Sequence, residues 1–505
     1  MRTREERHAG ELPEAGDVVL VIGDAAWPAA LAAGGTPLVL NGYAKRFAAM
    51  KREGIGERLK LIGVTLGASV DRHAQASSLG GWQAERKIRV LVLQDQVLDA
   101  CWIHDDSRMN GRPIGETKHR AASGMGRGAQ ASMRLEQRAL HPQQTAYRKA
   151  ALTAVRAIYT LGLDAGVVEL SLAGNGKCIV DAVRLPGEIG RDPAAEFWMD
   201  AVEGLARRIA APLRRMRHES ILIGADPEFL LVNSKGKVVP ADRYLGGGHG
   251  AGTDAMVIGG KIARPVAELR PAPNAAPSIV VSHIRGLLSI AQMRIKEDGL
   301  RWVAGAMPVA GFALGGHIHL SGVPLTNRLL RQLDSYVALP LAMAEADSGR
   351  KRRPKFGVMG DCRQQPHGGF EYRTLPSWLV SPLACEAALS LALLCALESN
   401  NLDYCPASED RYASAYYRGD RETLRECLEP LISAIRNVPT YKMLSTGIEP
   451  FMLSLRDGVI WDETLDIRAA WGIAPCENGD FARLADIARP PVSRSRGVNH
   501  RSDLL

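Results

Sequence analysis

Four closely spaced pairs constrain this chain more than anything else in it. They are Asp226/Glu228 in GADPEFLLV, Glu268/Arg270 in VAELRP, His317/His319 in GGHIHLSG and Glu371/Arg373 in GGFEYRTL. Each pair is spaced i, i+2 within a stretch that reads as a β-strand. Successive strand residues point to opposite faces, so both members of a pair project from the same face. Four such strands brought together place four carboxylates, two imidazoles and two guanidinium groups in one polar pocket. An apolar core does not accept that inventory, because an unpaired buried charge is costly. Divalent cations and phosphate groups do suit it.

Taken singly, the motifs leave alternatives open. A DxE on a strand is also a common surface pair, Glu268 before Arg-Pro is also an ion-paired edge residue, and a lone HxH is also structural. The glycines of GGHIH allow close approach of a ligand to the backbone. Asp254, in GAGTDAM, fits either a place beside the acidic strand or a turn cap. The conjunction of four strand-borne signals in one region carries the inference, with carboxylates as oxygen ligands for magnesium.

At 505 residues the chain is too long for one ordinary domain, so two or three are expected. Hydrophobic residues at 46% and charged residues at 23% describe a globular protein. The sequence has no uncharged apolar run of about 18 residues, which argues against a membrane span. The N-terminal MRTREERHAGELPEAGD lacks the apolar core of a secretory signal. Eight cysteines without a CxxC pair argue against structural zinc and fit free thiols in a reducing cytoplasm. The net charge of +8 is modest, and basic residues cluster at 349–357 (GRKRRPKFG) and 493–501 (SRSRGVNHR). Without a zinc-finger or aromatic-rich RNA-binding signature, these read as solvated surface or as sites for small anions rather than for nucleic acid.

Along the chain, residues 1–16 read as a mobile leader. DVVLVIGD (17–24) and TPLVLNG (36–42) read as strands, and 43–55 as a helix closing at Gly54. KIRVLVLQDQVLDACWI (87–103) reads as a hairpin turning at Gln-Asp. Residues 105–134 are rich in glycine and arginine and suit either a surface loop or a phosphate cradle. A helix is expected over 145–163, two strands around Gly-Asn-Gly over 164–187, and a helix over 195–218. A second domain starts near 219. Helices are expected there at 277–297 and near 325–348, 382–401 and 421–437, and 488–505 read as a disordered tail.

The region from about 219 to 400 resembles the glutamine-synthetase-like carboxylate–amine ligases, in particular the phage-type amidoligases of type 2. GADPEF looks like the first acidic strand of that superfamily, VAELRPAP like its second, GGHIHLSG like its glycine-histidine strand and GGFEYRTLPSWLVSP like its late Glu-x-Arg strand, in the same order. The resemblance implies that ATP phosphorylates a carboxylate and that an amine then displaces the phosphate. It also implies roles. Asp226, His317 and Glu371 would hold a nucleotide-side magnesium, and Glu228 and Glu268 a substrate-side one. Arg270 and Arg373 would stabilise the transferring phosphate or the substrate carboxylate, while His319, Arg363 and Arg353 would contact ATP. A further substrate-side glutamate of the superfamily has no counterpart placed here.

The first half resembles an ATP-grasp ligase. The likeness lies in TPLVLNGYAKRFAAMKREGI, in the hairpin bearing Arg89, and in the strand pair over 164–187. It implies that Arg89 meets phosphate and that Glu169 and Asp181 hold magnesium. Arg184 stands where that family has an asparagine, which suits a degenerate scaffold.

The expected fold class is therefore α+β. An ATP-grasp-like domain over 17–218 would precede a glutamine-synthetase-like antiparallel sheet domain over 219–487. The expected activity is ATP- and magnesium-dependent amide or peptide bond formation through an acyl phosphate. Its partners would be a small amine or amino acid and a carboxylate on a metabolite or peptide, with no membrane. The alternatives are a guanidino kinase-like phosphotransferase and a non-catalytic, virion-associated binding protein.

Overall fold

Two short parallel strands come first among the described residues. In the computed structural model β1 (Leu20–Ile22) pairs in parallel with β2 (Leu38–Leu40), and the chain then turns at Asn41. The described residues are 20–22, 38–67, 86–103, 139–186 without 175, scattered positions between 197 and 208, and 221–473 without 259 and 367. The expected leader, the glycine-rich loop at 105–134, most of the helix at 195–218 and the tail at 488–505 lie outside them.

Asn41 takes φ 53°, a left-handed angle that asparagine tolerates better than most residues. Its side chain accepts from the backbone of Asp164 and Ala165 and donates to the Ala165 carbonyl, which locks the start of α1 (Ala44–Ala49) to the next strand pair. The expected single helix is two. Met50 and Lys51 are extended, with ψ 127° and 157°, and α2 (Arg52–Leu61) follows, with Gly54 inside it rather than closing it. The break lets α2 bury Arg58 and Leu59.

A five-stranded sheet then forms from β3 (Thr65–Leu66), β4 (Arg86–Leu93), β5 (Gln96–Ile103), β6 (Ala165–Leu172) and β7 (Cys178–Arg184), in the order β3-β7-β6-β4-β5. All its pairings are antiparallel except β3 with β7. The β4–β5 turn falls at Gln94, φ 58°, as the Gln-Asp pair predicts. Helix α3 (Thr145–Thr160) lays Ala150, Ala154, Ala157 and Ile158 on Ile88, Val90, Val168 and Leu170. Those residues alternate along the strands, so one face of this sheet is core. Each fully buried aliphatic chain here contributes about 2 kcal/mol.

The second sheet has eight strands. They are β8 (Leu222–Val232), β9 (Val238–Val239), β10 (Gly250–Ile258), β11 (Lys261–Arg270), β12 (Arg301–Val303), β13 (Gly316–Ser321), β14 (Cys362–Gln364) and β15 (Phe370–Tyr372). Its main path is β10-β11-β8-β13-β15-β14, antiparallel throughout, with β9 and β12 also pairing β8. The odd positions of β8, such as Ile223, Ala225 and Phe229, face a large core built with α4 (Pro277–Arg294) and α7 (Pro382–Glu398). Between those helices run α5 (Asn327–Leu333), a π-turn (Asp334–Ala338) and α6 (Leu339–Ala344), continuous with one another.

Five further helices complete the described chain: α8 (Asp410–Arg418), α9 (Arg421–Arg425), α10 (Leu428–Arg436), α11 (Tyr441–Arg456) and α12 (Ile467–Trp471). The helix expected near 421–437 is thus broken at residues 426–427. The two sheets are joined by buried contacts. Val358 packs into the core of the first, and Arg331 Nη1 reaches Asp164 Oδ1 at 2.8 Å. The architecture is mixed α+β with antiparallel sheets. No helix among the described residues is long and apolar enough to cross a membrane.

A candidate active site on one sheet face

Register brings the four sequence pairs together. His317 lies opposite Asp226, His319 opposite Glu371, and Glu228 opposite Glu268. Arg363 on β14 lies opposite Glu371. Opposed residues of an antiparallel ladder share a face, so all these side chains emerge on the side away from the main core.

Their contacts are dense. Asp226 Oδ2 lies 3.1 Å from His319 Nε2, and Asp226 Oδ1 lies 3.1 Å from His317 Nδ1. His317 Nδ1 is also 3.2 Å from Glu371 Oε1. Glu371, wholly buried, accepts from Arg363 Nε at 2.8 Å and Gln365 Nε2 at 3.0 Å, and Arg373 Nε stands 3.0 Å from its other oxygen. Glu228 accepts from the Gly315 backbone N–H at 2.6 Å. Glu268 pairs with Arg270, whose guanidinium also donates to the carbonyls of Gly248 and Thr253.

Burial and charge pull the ionisable groups apart. Burial pushes Glu228 up to about 7, with Asp254 and Asp226 adding to the push against His317 and the Gly315 N–H. Burial would raise Asp226 as well, yet the close polar contacts and charges of His317 and His319 hold it well below the usual carboxylate range. His317 moves the other way. Burial opposes its charge, and the surrounding Asp226, Glu228 and Glu371 raise it.

The donor set fits a divalent cation. Asp226 Oδ1, His317 Nδ1 and Glu371 Oε1 are buried and close, yet none finds an aligned hydrogen-bond partner. Such atoms are costly unless something else completes them. One ligand atom each from Asp226, His319 and Glu371 also lie within 4.8 Å of one another. Oxygen-rich sets with an occasional imidazole suit magnesium or manganese.

Two expected ATP contacts are not on this face. Arg353 is buried elsewhere, ion-paired with Glu345, donating to the Tyr416 carbonyl at 3.1 Å and stacked 4.0 Å over the Tyr416 ring. Its two Nη groups are taken up by structure, away from the face on which the resemblance would have it contact phosphate. Arg89 sits on the five-stranded sheet, opposite Glu169 and Cys101, with Nη2 3.6 Å from Cys101 Sγ. The glycines of GGHIH also serve a different purpose. A Cβ on Gly315 would lie 2.7 Å from His317 Nε2, and one on Gly316 2.7 Å from Trp378 Nε1, so they make room for side chains. Gln365 and the Gly315 N–H escaped the sequence reading. Only the i, i+2 spacing of Gln365 from Arg363 signals the first.

Opposed buried acids beside imidazoles and arginines suit an enzyme that manages negative charge in its substrates. Residues 223–473 match the protein family described as Phage phiEco32-like COOH.NH2 ligase-type 2, and through this region the chain belongs to that family of carboxylate–amine ligases. No curated protein matches the chain. Solved structures similar to it include the complex between the prokaryotic ubiquitin-like protein Pup and its ligase PafA, at 10% identity over 54% of this chain and 73% of that one, TM-score 0.35. A bifunctional glutathione synthetase from Pasteurella multocida matches at 11% identity over 51% of each chain, TM-score 0.31. GmaS without ligand matches at 16% identity over 57% and 79%, TM-score 0.29.

Proposed function

We propose that the chain forms an amide or peptide bond at the expense of ATP, with magnesium, through an acyl phosphate. The observation that carries this is the buried face on which Asp226 Oδ1, His317 Nδ1 and Glu371 Oε1 are left without aligned partners. A bound magnesium ion would neutralise phosphate oxygens during transfer, held by Asp226, Glu371 and an imidazole, with Glu228 and Glu268 facing the carboxylate substrate. Both His317 and His319 are near enough to Asp226 to serve.

A carboxylate oxygen attacks the γ-phosphorus, the bond to the β-phosphate bridge breaks, and ADP leaves. An amine nitrogen then attacks the acyl carbon, loses a proton, and phosphate departs with the oxygen that came from the carboxylate. Arg373 and Arg363, already beside Glu371, stabilise the charge on the transferred group, and Arg270 orients the substrate carboxylate. His319 contacts the nucleotide. Such catalysis is mostly positioning and charge stabilisation.

The first half is a degenerate ATP-grasp-like scaffold. Arg184 Nη1 lies 3.0 Å from Glu169 Oε1, and Asp181 Oδ2 accepts from Ser171 Oγ at 2.5 Å, so both acids have protein partners. The domain division follows the two sheets, near residue 219. The deciding experiment incubates the full chain with ATP, Mg2+ and a metabolite extract and profiles new amides. Phosphate release that depends on an amine supports the ligase. A phosphorylated guanidine with no amide would replace it with the kinase-like reading.

A further inference from the structure

The loop and hairpin that carry Arg363, Glu371 and Arg373 are held from behind by the first half. Tyr372 lies between Glu371 and Arg373 but points to the opposite face, into the core. Its hydroxyl donates to Asp334 Oδ1 at 2.6 Å. Tyr159, at the end of α3, donates to Asp334 Oδ2 at 2.6 Å. The Gly360 N–H adds a third bond to Asp334 at 3.1 Å.

Asp334 is 1% exposed and opens the π-turn, a local widening of a helix that is common at functional sites. Its helical neighbour Arg331 anchors the same segment to the first half, donating to Asp164 and to the Leu163 carbonyl at 2.8 Å each. One hydrogen bond and one ion pair tie β14 and its approach to the first half. Gln364 Nε2 donates to Asp95 Oδ2 at 2.6 Å, and Arg156 Nη2 stands 3.6 Å from Asp361 Oδ2. The Asp361 backbone carbonyl in turn accepts from the Arg373 backbone N–H at 2.8 Å.

We propose that Tyr159 is a positioning residue for the ligase centre, holding β15 in register through Asp334 and Tyr372 so that Glu371 meets Asp226 and the histidines. This rests on the reading of that face as the ligase centre. The first half is then a brace that the centre needs, whether or not it binds anything itself. Tyr159 touches no reacting group. It sets the height of β15, and the Glu371 carboxylate moves with the strand.

The test uses the full chain carrying Tyr159→Phe, which removes one hydroxyl. Ile158→Val, a truncation in the first core on the same helix, is the stability control. Hydrogen exchange is read at the β14–β15 amides, and Mn2+ alone is titrated calorimetrically. Tyr159→Phe is expected to speed exchange at those amides about tenfold, as loss of a bond to a buried charge does, and to weaken Mn2+ binding about tenfold, the lower end of what disturbing the support of a metal ligand costs. Ile158→Val should do neither. Asp334→Asn, which keeps an acceptor oxygen, should retain more Mn2+ affinity than Asp334→Ala. Exchange and affinity in Tyr159→Phe equal to those of Ile158→Val would overturn the brace. A wild type that exchanges slowly there but binds no Mn2+ would instead overturn the metal reading of the face, and the positioning role with it.

Discussion

Arg363 Nε donates to Glu371 Oε2 across 2.8 Å, linking a side chain that is 59% exposed to one that is 1% exposed. The guanidinium therefore shields a buried carboxylate from the open side and competes with any cation for it. Removing it in Arg363→Ala should tighten Mn2+ binding about two- to fivefold, the range of an exposed ion pair, when measured by calorimetric titration. The same variant should raise KM for ATP, since a phosphate contact is lost. Weaker Mn2+ binding would contradict this competition.

Glu228 predicts how stability responds to pH. Its carboxyl is raised by burial from an ordinary 4.5 to about 7, so between those values the folded chain holds more protons than the unfolded chain. Stability is then greatest below pH 4.5 and falls as pH rises through 7. Asp334, raised to about 6 by burial, has the same sign. So does His317, whose raised value gives stability present below 6.5 and lost at higher pH. From pH 5 to 8 the metal-free protein should lose about 2–3 kcal/mol through Glu228 alone, read by urea unfolding. Glu228→Gln should flatten the curve, and Mg2+ should restore more stability at pH 8 than at pH 5.

Gly360 packs directly against Tyr159 of the first half. It has φ +70°, and a Cβ there would lie 2.3 Å from the Tyr159 ring. Gly360→Ala combines left-handed strain with overpacking and should cost about 3 kcal/mol in unfolding experiments. A cost within about 0.5 kcal/mol, ordinary for a surface change, would show that the contact is not held in solution.

Glu169→Gln should change ATP turnover less than twofold. Its carboxylate faces Arg184 on a half-open sheet face, and the loss of one such pair is worth about 1 kcal/mol at most. A loss equal to that of a change at Glu371 would reveal a second working centre.

Much of this was legible in the chain. The Gln-Asp turn announced the β4–β5 hairpin, and the i, i+2 pairs placed their side chains on one face because strand periodicity is rigid. What sequence spacing does not encode is the partner across the fold. Arg353 looked like a free cation in a basic run, yet its partners are Glu345 and, 63 residues on, Tyr416. The Tyr159–Asp334–Tyr372 link joins residues 175 and 38 positions apart, and no local pattern marks it. Helix α8 was missed because DRYASAYYR is polar, and α11 because Pro450 sits inside it.

The central claim is that the Asp226–Glu371 face makes an acyl phosphate. The most direct measurement is hydroxamate formation by the full chain given ATP, Mg2+, hydroxylamine and a pool of amino-acid and peptide carboxylates, with Glu371→Gln alongside. The account predicts Mg2+-dependent hydroxamate matched by phosphate release in the wild type, and its loss in a folded Glu371→Gln. Hydroxamate formed equally by both proteins, or phosphate released with no hydroxamate, would contradict it.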